Sequence, residues 1–444
     1  MTILLAILGG LGFLVGLTIG IRRFGINAVL LSGYRILAPL SVTPMLPLVG
    51  VVKWGRVGLA GLLTLINLRV FVPVFRVGPS GLALLFIFVY YAAAGSYSDV
   101  PIWALLFKGQ SVLTILAGVA VMMSVRSIAE FEKILYAIAL GSSVLIFVAF
   151  ALLISNPANL NFSGRFQPLG LNPNRLAMSM AAFVPGLVYA GLYSRNWLAK
   201  VYFLGMLSLA GIILLTTGSR GGVAMAAAYA FAAAFPVLRR PVTTLIVGSV
   251  SLGIAFLVLQ LVTVDANIER VTSTEFTRGT AWTKGFTLFS ESPLLGQGWT
   301  YKFVEGRGRP GVENMHSAYL NFLAETGLLG VLFCGIAFLL LIYRSLKLLL
   351  ECFRYGTPEE FRVCCILGGF FGAPIFHGLV EAATLTGNTP ATLLLGVGVA
   401  GLDQLRNLMA GRIDEEYETS GFLHAHEYDQ DYGEAEEDPA LARP

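Results

Sequence analysis

The stretch Glu313–Gly330 reads ENMHSAYLNFLAETGLLG and joins a polar segment to a long apolar one. About fifty residues of mixed, charged sequence precede it, and more than twenty almost uninterrupted apolar residues follow it. This change predicts that a water-facing loop enters a bilayer at this point. His316 stands at the change, so its imidazole is expected to face both water and lipid.

The composition of the whole chain indicates a membrane protein. Of its 444 residues, 56% are hydrophobic and 13% charged, and the mean hydropathy is +0.75. A soluble domain carries roughly a quarter charged residues. The apolar runs are continuous, without the period-two alternation of a lipid-facing strand, and the 50 glycines suit close helix packing. We therefore expect an all-α polytopic membrane protein.

The apolar runs predict eleven clear spans, near residues 2–21, 79–96, 106–125, 133–154, 175–194, 199–217, 221–238, 241–264, 317–343, 362–380 and 389–408. Residues 24–78 are interrupted by prolines and basic residues, a pattern compatible with one span, two spans or a re-entrant hairpin. About twelve spans are expected in total. Residues 2–21 lack a basic start and a cleavage site, which favours a retained first helix. The four cysteines have no C-x-x-C spacing, so neither a disulfide framework nor a zinc site is expected.

The distribution of basic residues in short loops predicts the orientation. Loops 126–133, 195–200, 239–240 and 344–362 contain ten Arg and Lys residues, and we expect them to be cytoplasmic. Loops 155–174, 218–222 and 381–388 contain two, and by parity they share the outer side with the long segment 265–315. Arg22 and Arg23 conflict with this scheme, because an even number of spans with the C-terminus inside places them outside.

Two regions follow from this organisation. Residues 1–408 are expected to form one multi-span domain, with 265–315 as a large extracytoplasmic loop. Residues 409–444 contain eleven acidic residues against Arg412 and Arg443, which predicts a disordered cytoplasmic tail. Without that tail the chain has 28 basic and 15 acidic residues, a net charge of +13. Such a body should favour anionic lipids and ligands that carry phosphate.

Four arginines on the predicted outer side are candidate anion ligands. Arg220, in TTGSRGG, lies between glycines that leave its guanidinium and the nearby N–H groups accessible; the alternative is an interfacial arginine that reaches the lipid headgroups. Arg278 opens a segment with aromatic residues at helical spacing, which predicts an amphipathic helix on the bilayer surface. On that helix Arg278 is either a ligand or a solvated charge. Arg175 and Arg165 are candidate ligands or ordinary helix-end anchors.

His316 is the candidate general base. Imidazole is the side chain best suited to take a proton at neutral pH, and the alternative is a histidine hydrogen-bonded at a helix start. On a continuous helix Glu325 would lie about half a turn around the axis from His316. It would then face the opposite side, so it is not expected to orient His316. His377 and Glu381, one turn apart, are expected to be structural or to line a cavity.

Taken together, these residues resemble the O-antigen ligases. Their signature is a histidine, then Asn, Ser or Gln, nine residues, a glycine, two residues, and a small residue or Tyr. Here His316, Ser317, AYLNFLAET, Gly327, Leu328-Leu329 and Gly330 match it. The TGSRGG and R-x-x-x-W…P-L-x-G-x-G elements are similar to those of the wider O-antigen ligase and polymerase superfamily. The motifs cover roughly residues 155–345.

The resemblance implies a glycosyltransferase-C-like enzyme of the bacterial cytoplasmic (inner) membrane, with its active site facing the periplasm or the outside. It would transfer a glycan from a polyprenyl (undecaprenyl) diphosphate carrier to an acceptor hydroxyl on lipid A core, a similar lipid or a growing polysaccharide. By match to the family, His316 would be catalytic, and Arg220, Arg278 and Arg175 would bind the diphosphate. The family implies inversion without a metal or other cofactor, and no nucleic-acid partner is expected.

Two choices stay open at the level of the sequence. Ligases carry an arginine followed four residues later by leucine, whereas Ala224 occupies that position after Arg220, and Arg165 with Leu169 fits the spacing elsewhere. Ligase and polymerase are therefore both retained. The alternative from another class is a transporter or flippase of lipid-linked oligosaccharides, which should carry internal repeats and charged residues near mid-span.

Overall fold

A computed structural model describes residues 20, 22–40, 49–67, 78–98, 101–155, 165–238, 279–298, 301–303, 310–312, 316–379, 381 and 389–431. These residues are almost entirely helical. In chain order the helices are α1 (Ile26–Leu40), α2 (Val49–Ile66), α3 (Pro79–Ala93, extended by a 3₁₀ turn at Ala94–Tyr97), α4 (Pro101–Met123), α5 (Ile128–Ser155), α6 (Pro173–Tyr193), α7 (Trp197–Thr216), α8 (Arg220–Leu238), α9 (Gly279–Glu291), α10 (Ala318–Tyr355), α11 (Pro358–Gly378) and α12 (Pro390–Asp431).

Eight of these helices are long and apolar enough to cross a membrane, namely α3 to α8, α10 and α11. They correspond to eight of the predicted spans, and the chain is a multi-pass membrane protein. The ninth described prediction, 389–408, is the buried first half of α12, whereas 2–21 (apart from Gly20) and 241–264 lie outside the described residues. The total of about twelve spans stays a prediction.

Residues 24–78, for which the sequence leaves three possibilities, contain two antiparallel helices. Asn27, at the start of α1, donates from Nδ2 to Asn67 Oδ1 just after α2, at 2.9 Å, and to Ser124 Oγ after α4, also at 2.9 Å. The start of α1 therefore lies at the same end of the bundle as the basic loop 126–133. Arg22 and Arg23 directly precede α1, so they lie at the same end as that basic loop, as their charge alone would predict.

The predicted all-α fold class is confirmed, and the segment between α8 and α10 adds a short hairpin to it. This segment contains α9 and the antiparallel hairpin of β1 (Tyr301–Phe303) and β2 (Pro310–Val312), in which Lys302 pairs with Gly311. The predicted helix with aromatic spacing is confirmed as α9, and it ends before Ser292 and Pro293 as predicted. Leu288 and Trp282 of α9 pack against Leu320 and Ala324 of α10.

Helix α10 reverses direction within its length, which differs from the continuous span predicted for 317–343. Gly327 has φ 63° and ψ −167° in the middle of the helix. Tyr319 and Phe338 are 19 residues apart and would be about 28 Å apart on a straight helix. Their ring centroids are 6.4 Å apart. The nine residues 318–326 therefore fold back along the longer part of the helix.

The acidic segment also differs from its prediction. Helix α12 continues to Asp431, although disorder was expected from residue 409. No proline interrupts residues 391–438, Ala and Glu are good helix formers, and the buried first half of α12 supplies the helical nucleus. Arg412 Nε also lies 3.2 Å from Glu360 Oε1 on α11. The division at residue 408 is thus not marked by the end of a helix.

Candidate functional site

A loop from elsewhere in the chain fills the break in α10. The reversal at Gly327 removes helical partners from backbone groups on both sides of it. Gln297 N and Gly298 N donate to Ala324 O and Glu325 O at 2.9 and 3.1 Å, respectively. Leu328 N and Leu329 N donate to Pro293 O and Leu294 O at 2.9 and 3.1 Å. The PLLGQG segment, Pro293–Gly298, therefore supplies the backbone hydrogen bonds that the reversal removes from α10.

Glycines are required on both sides of this contact. Gly296, Gly298 and Gly327 all have positive φ, at 74°, 68° and 63°. A Cβ on Gly296 would meet the backbone of Glu325 and Thr326, and one on Gly327 would meet Leu294 O. A Cβ on Gly330 would meet the Thr326 side chain and the Tyr90 ring. The spacing of the signature thus has a physical cause: one short helix, one reversal and one close contact.

The reversal determines where His316 lies. Ser317 caps the short helix, its Oγ accepting from Leu320 N at 3.3 Å. Tyr319 Oη donates to Ile375 O on α11 at 2.8 Å. His316 directly precedes the cap with φ 52°, a conformation that non-glycine residues rarely adopt. Its ring is partly buried. The imidazole is therefore presented from a fixed helix start beside the end of α11.

Arg220 begins α8 directly after a tight turn. Gly218 has φ 58°, and Ser219 Oγ accepts from Gly222 N at 3.3 Å. A Cβ on Gly222 would meet Ala177 of α6, so this glycine allows α8 to approach α6 closely. The predicted role of the glycines was to leave Arg220 accessible, and Arg220 is half-buried here. The turn makes Arg220 the first residue of α8, and the N-terminus of a helix favours anions.

Arg165 ties the loop before α6 to this turn. Its Nε donates to Thr217 O at 2.6 Å and its Nη2 to Asn174 Oδ1 at 2.7 Å, while Phe166 N donates to Thr216 O at 2.9 Å. Asn174 Nδ2 lies 3.4 Å from Glu381 Oε2, just beyond α11. The predicted helix-end anchor is thus a specific connection within the protein.

Arg175 is exposed on the first turn of α6, next to Asn174. The buried Arg56 of α2 lies close enough for its charge to interact with that of Arg175. Arg278 lies outside the described residues, directly before α9.

The end of α11 connects the two halves of the site. Ile375 contacts the His316 segment, and Glu381 contacts the segment that holds Arg165 and Arg175. The sequence did not assign Asn174, Thr217 or Glu381 to the site. Asn174 acts through its neutral side-chain amide and Thr217 through its backbone carbonyl. Neither kind of contact can be recognised in a single sequence.

Comparison with known families supports the motif-based resemblance. Residues 203–335 match the family described as O-antigen ligase. The chain contains an O-antigen ligase-like domain. The match begins in α7, ends in α10 and includes Arg220, Arg278, His316 and the whole PLLGQG contact with Gly327. No match was found among curated proteins.

The match to the O-antigen ligase family indicates an enzyme of the ligase or polymerase kind. It also indicates a role in surface polysaccharide biosynthesis. Arg165 and Arg175 lie outside the matched residues. Their association with the site comes from the contacts of α6 described above.

Proposed function

We propose that this protein is a membrane glycosyltransferase that moves a glycan from a polyprenyl diphosphate carrier to an acceptor hydroxyl on the outer face of the bacterial cytoplasmic membrane. The acceptor is a lipid such as lipid A core, or the end of a growing polysaccharide. The observation that best supports this proposal is that the end of α11 joins two segments. It contacts the segment of His316 and the start of α6, which carries Arg175. These contacts support the proposal because they hold the segments of His316, Arg165 and Arg175 at the same end of the bundle.

The proposed reaction is a single displacement. The acceptor oxygen attacks the anomeric carbon, the bond from that carbon to the diphosphate oxygen breaks, and the configuration inverts. His316 takes the hydroxyl proton, and the bond electrons leave with the diphosphate. Arg220, Arg278 and Arg175 stabilise the developing charge where water is restricted. In this proposal the arginines supply the positive charge, and no metal or other cofactor takes part.

A transporter or flippase of lipid-linked oligosaccharides is the second candidate. It is favoured by two cations inside the bundle, because charges in that position often line a substrate path. Arg35 of α1 is 1% exposed and Arg56 of α2 is 3% exposed. Arg35 donates to Ala182 O of α6 and lies 5.1 Å from the Phe183 ring centroid. The matched enzyme family favours the transferase.

The test uses purified protein, a polyprenyl-diphosphate-linked oligosaccharide and EDTA, with and without a lipid-core acceptor, and resolves products by size. A ladder without added acceptor identifies a polymerase, and a single shift that requires the acceptor identifies a ligase. Product in EDTA supports the proposed metal independence, and product only after divalent metal is restored contradicts it. No product in any condition, together with carrier movement across liposomes, would reject the transferase in favour of the transporter.

A further inference from the structure

A buried ion pair joins the short helix of α10 to the transmembrane bundle. Lys108 Nζ of α4 lies 2.8 Å from Glu325 Oε2, and the two side chains are 4% and 3% exposed. The same Nζ lies 3.4 Å from the centroid of the Tyr91 ring on α3. Tyr91 also packs against Phe322 at 5.2 Å between ring centroids. Three elements thus meet at one charged contact, two residues before the reversal.

The backbone of Glu325 takes part in the same junction. Its carbonyl accepts from Gly298 N at 3.1 Å and from Tyr97 Oη at 3.4 Å. Glu325 therefore links the PLLGQG loop, through its backbone, to α4, through its carboxylate. Buried ion pairs contribute little net stability compared with apolar residues of similar size, because both charges must be desolvated. Stability alone is a weak reason for this pair.

We propose that Lys108 and Glu325 are positioning residues for His316. Glu325 fixes one end of the nine-residue helix, and the Tyr319–Ile375 hydrogen bond fixes the other. A helix held at both ends can maintain the unusual φ of His316, because such conformations persist only where the surroundings over-determine them. This inference rests on the proposed function for its catalytic consequence, but its geometric part does not depend on that function.

The activity test compares Lys108→Met, Glu325→Gln and the double variant with wild type. Each single change removes one charge of the pair, whereas the double variant removes both and should melt close to wild type. We expect the kcat of the double variant to fall about tenfold or more. Its KM for the donor should stay within about twofold of wild type, because the arginines are unchanged. Lys108→Arg keeps the charge and should retain most of kcat. An unchanged kcat in the double variant would overturn the proposal.

A cysteine cross-link measures the geometry without any activity. With the four native cysteines replaced, Tyr319→Cys and Phe338→Cys should react rapidly with a short thiol cross-linker. The control pair Phe333→Cys and Phe353→Cys lies 20 residues apart on the unbroken part of α10, about 30 Å, and should not react. Tyr319→Cys removes the hydrogen bond to Ile375 from every protein compared, so this cross-link reports on the Lys108–Glu325 end of the short helix. In this background we expect Lys108→Met/Glu325→Gln to slow the first cross-link several-fold. An unchanged cross-linking rate would contradict the geometric part.

The two measurements also separate the inference from the proposed function. If the wild type does not transfer glycan but the cross-link depends on the ion pair, the proposed function fails and the positioning contact stands. If the wild type transfers glycan and the double variant matches it in both measurements, the positioning role fails alone. If the double variant does not fold, Lys108→Met/Glu325→Met takes its place, because it also leaves no buried charge unpaired. Normal kcat with normal cross-linking in that variant would overturn the inference.

Discussion

Left-handed backbone conformations are concentrated at the candidate site. Among the described residues, the non-glycine positions with positive φ are Leu169, at 51°, and His316, at 52°. Leu169 lies in the loop that Arg165 attaches to Thr217, and His316 begins the short helix of α10. Conformations of this kind cost about 1–3 kcal/mol each and recur at functional sites. The conformations of Leu169 and His316 are therefore those expected of a functional site, and ordinary loops would not need them.

At this scale, Gly327→Ala should destabilise the protein by about 2 kcal/mol or more, since it combines strained φ with a clash against Leu294 O. Gly335→Ala is the matched control on the same helix, because a Cβ there meets no atom within 4 Å. It should be neutral or slightly stabilising. Melting temperatures of the purified variants in detergent check both. Equal melting temperatures for the two variants would contradict the reversal.

Single-residue changes also test the site. His316→Ala should lower kcat by about a hundredfold or more, and Arg220→Ala should abolish transfer or greatly raise the donor KM. Arg195→Ala, an exposed arginine at the opposite end of the bundle, is the control and should transfer normally. Steady-state kinetics on folded, membrane-inserted protein decide the outcome. Near-normal transfer by both site variants would refute the assignment.

At the scale of elements, the sequence predicted the helices well and the reversal of α10 poorly. Spans are recognisable because each apolar run is local and continuous. Gly327 lies inside such a run, where an isolated glycine is compatible with an unbroken helix. The groups that satisfy the broken backbone come from Pro293–Gly298, some thirty residues earlier. A contact between distant segments has no local pattern, so the two glycine-containing motifs could be recognised but not paired.

Another pair of distant segments holds the start of α3. Asp403 of α12 accepts from Ser80 N at 3.0 Å, Gly81 N at 3.2 Å and Ser80 Oγ at 2.7 Å. Asp403→Ala leaves these buried donors unsatisfied and should cost about 2–3 kcal/mol, whereas Asp403→Asn keeps an acceptor and should cost less. Thermal melting of the three proteins gives the ranking. An alanine variant as stable as wild type would mean that water replaces the carboxylate.

At the scale of the whole molecule, the helical bundle has two chemically different ends. The basic loops 126–133, 195–200 and 344–362 and the start of α1 are at one end, and the arginine turn, His316 and the PLLGQG contact are at the other. Composition and loop charges predicted this division. The buried Arg35 and Arg56 were not predicted, because basic residues scattered among prolines in 24–78 are typical of loops as well as of broken helices. Arg35 contacts Ala182 of α6 and Arg56 contacts Gln110 of α4, and contacts between such distant segments leave no local pattern in the sequence.

The acidic C-terminal segment provides the test at this scale. Deletion of residues 414–444 should leave transfer and melting temperature unchanged. Deletion of 409–444 also removes the buried Met409 and the Arg412–Glu360 ion pair, so it should lower stability by about 2 kcal/mol while preserving kcat per folded molecule. Transfer assays and melting curves compare the two truncations. Loss of transfer in the shorter deletion would show that the segment has a role in the reaction.

The reversal of α10 also sets an order of assembly during biosynthesis. A nine-residue helix is about 13 Å long, less than half the roughly 30 Å thickness of the hydrocarbon core, so the insertion machinery cannot integrate residues 318–326 as a separate span. The segment becomes stable only when Lys108, Tyr91 and the PLLGQG backbone are present to receive it. We therefore expect His316 to reach its final position after the surrounding helices have inserted, so that a nascent chain acquires its reactive centre late.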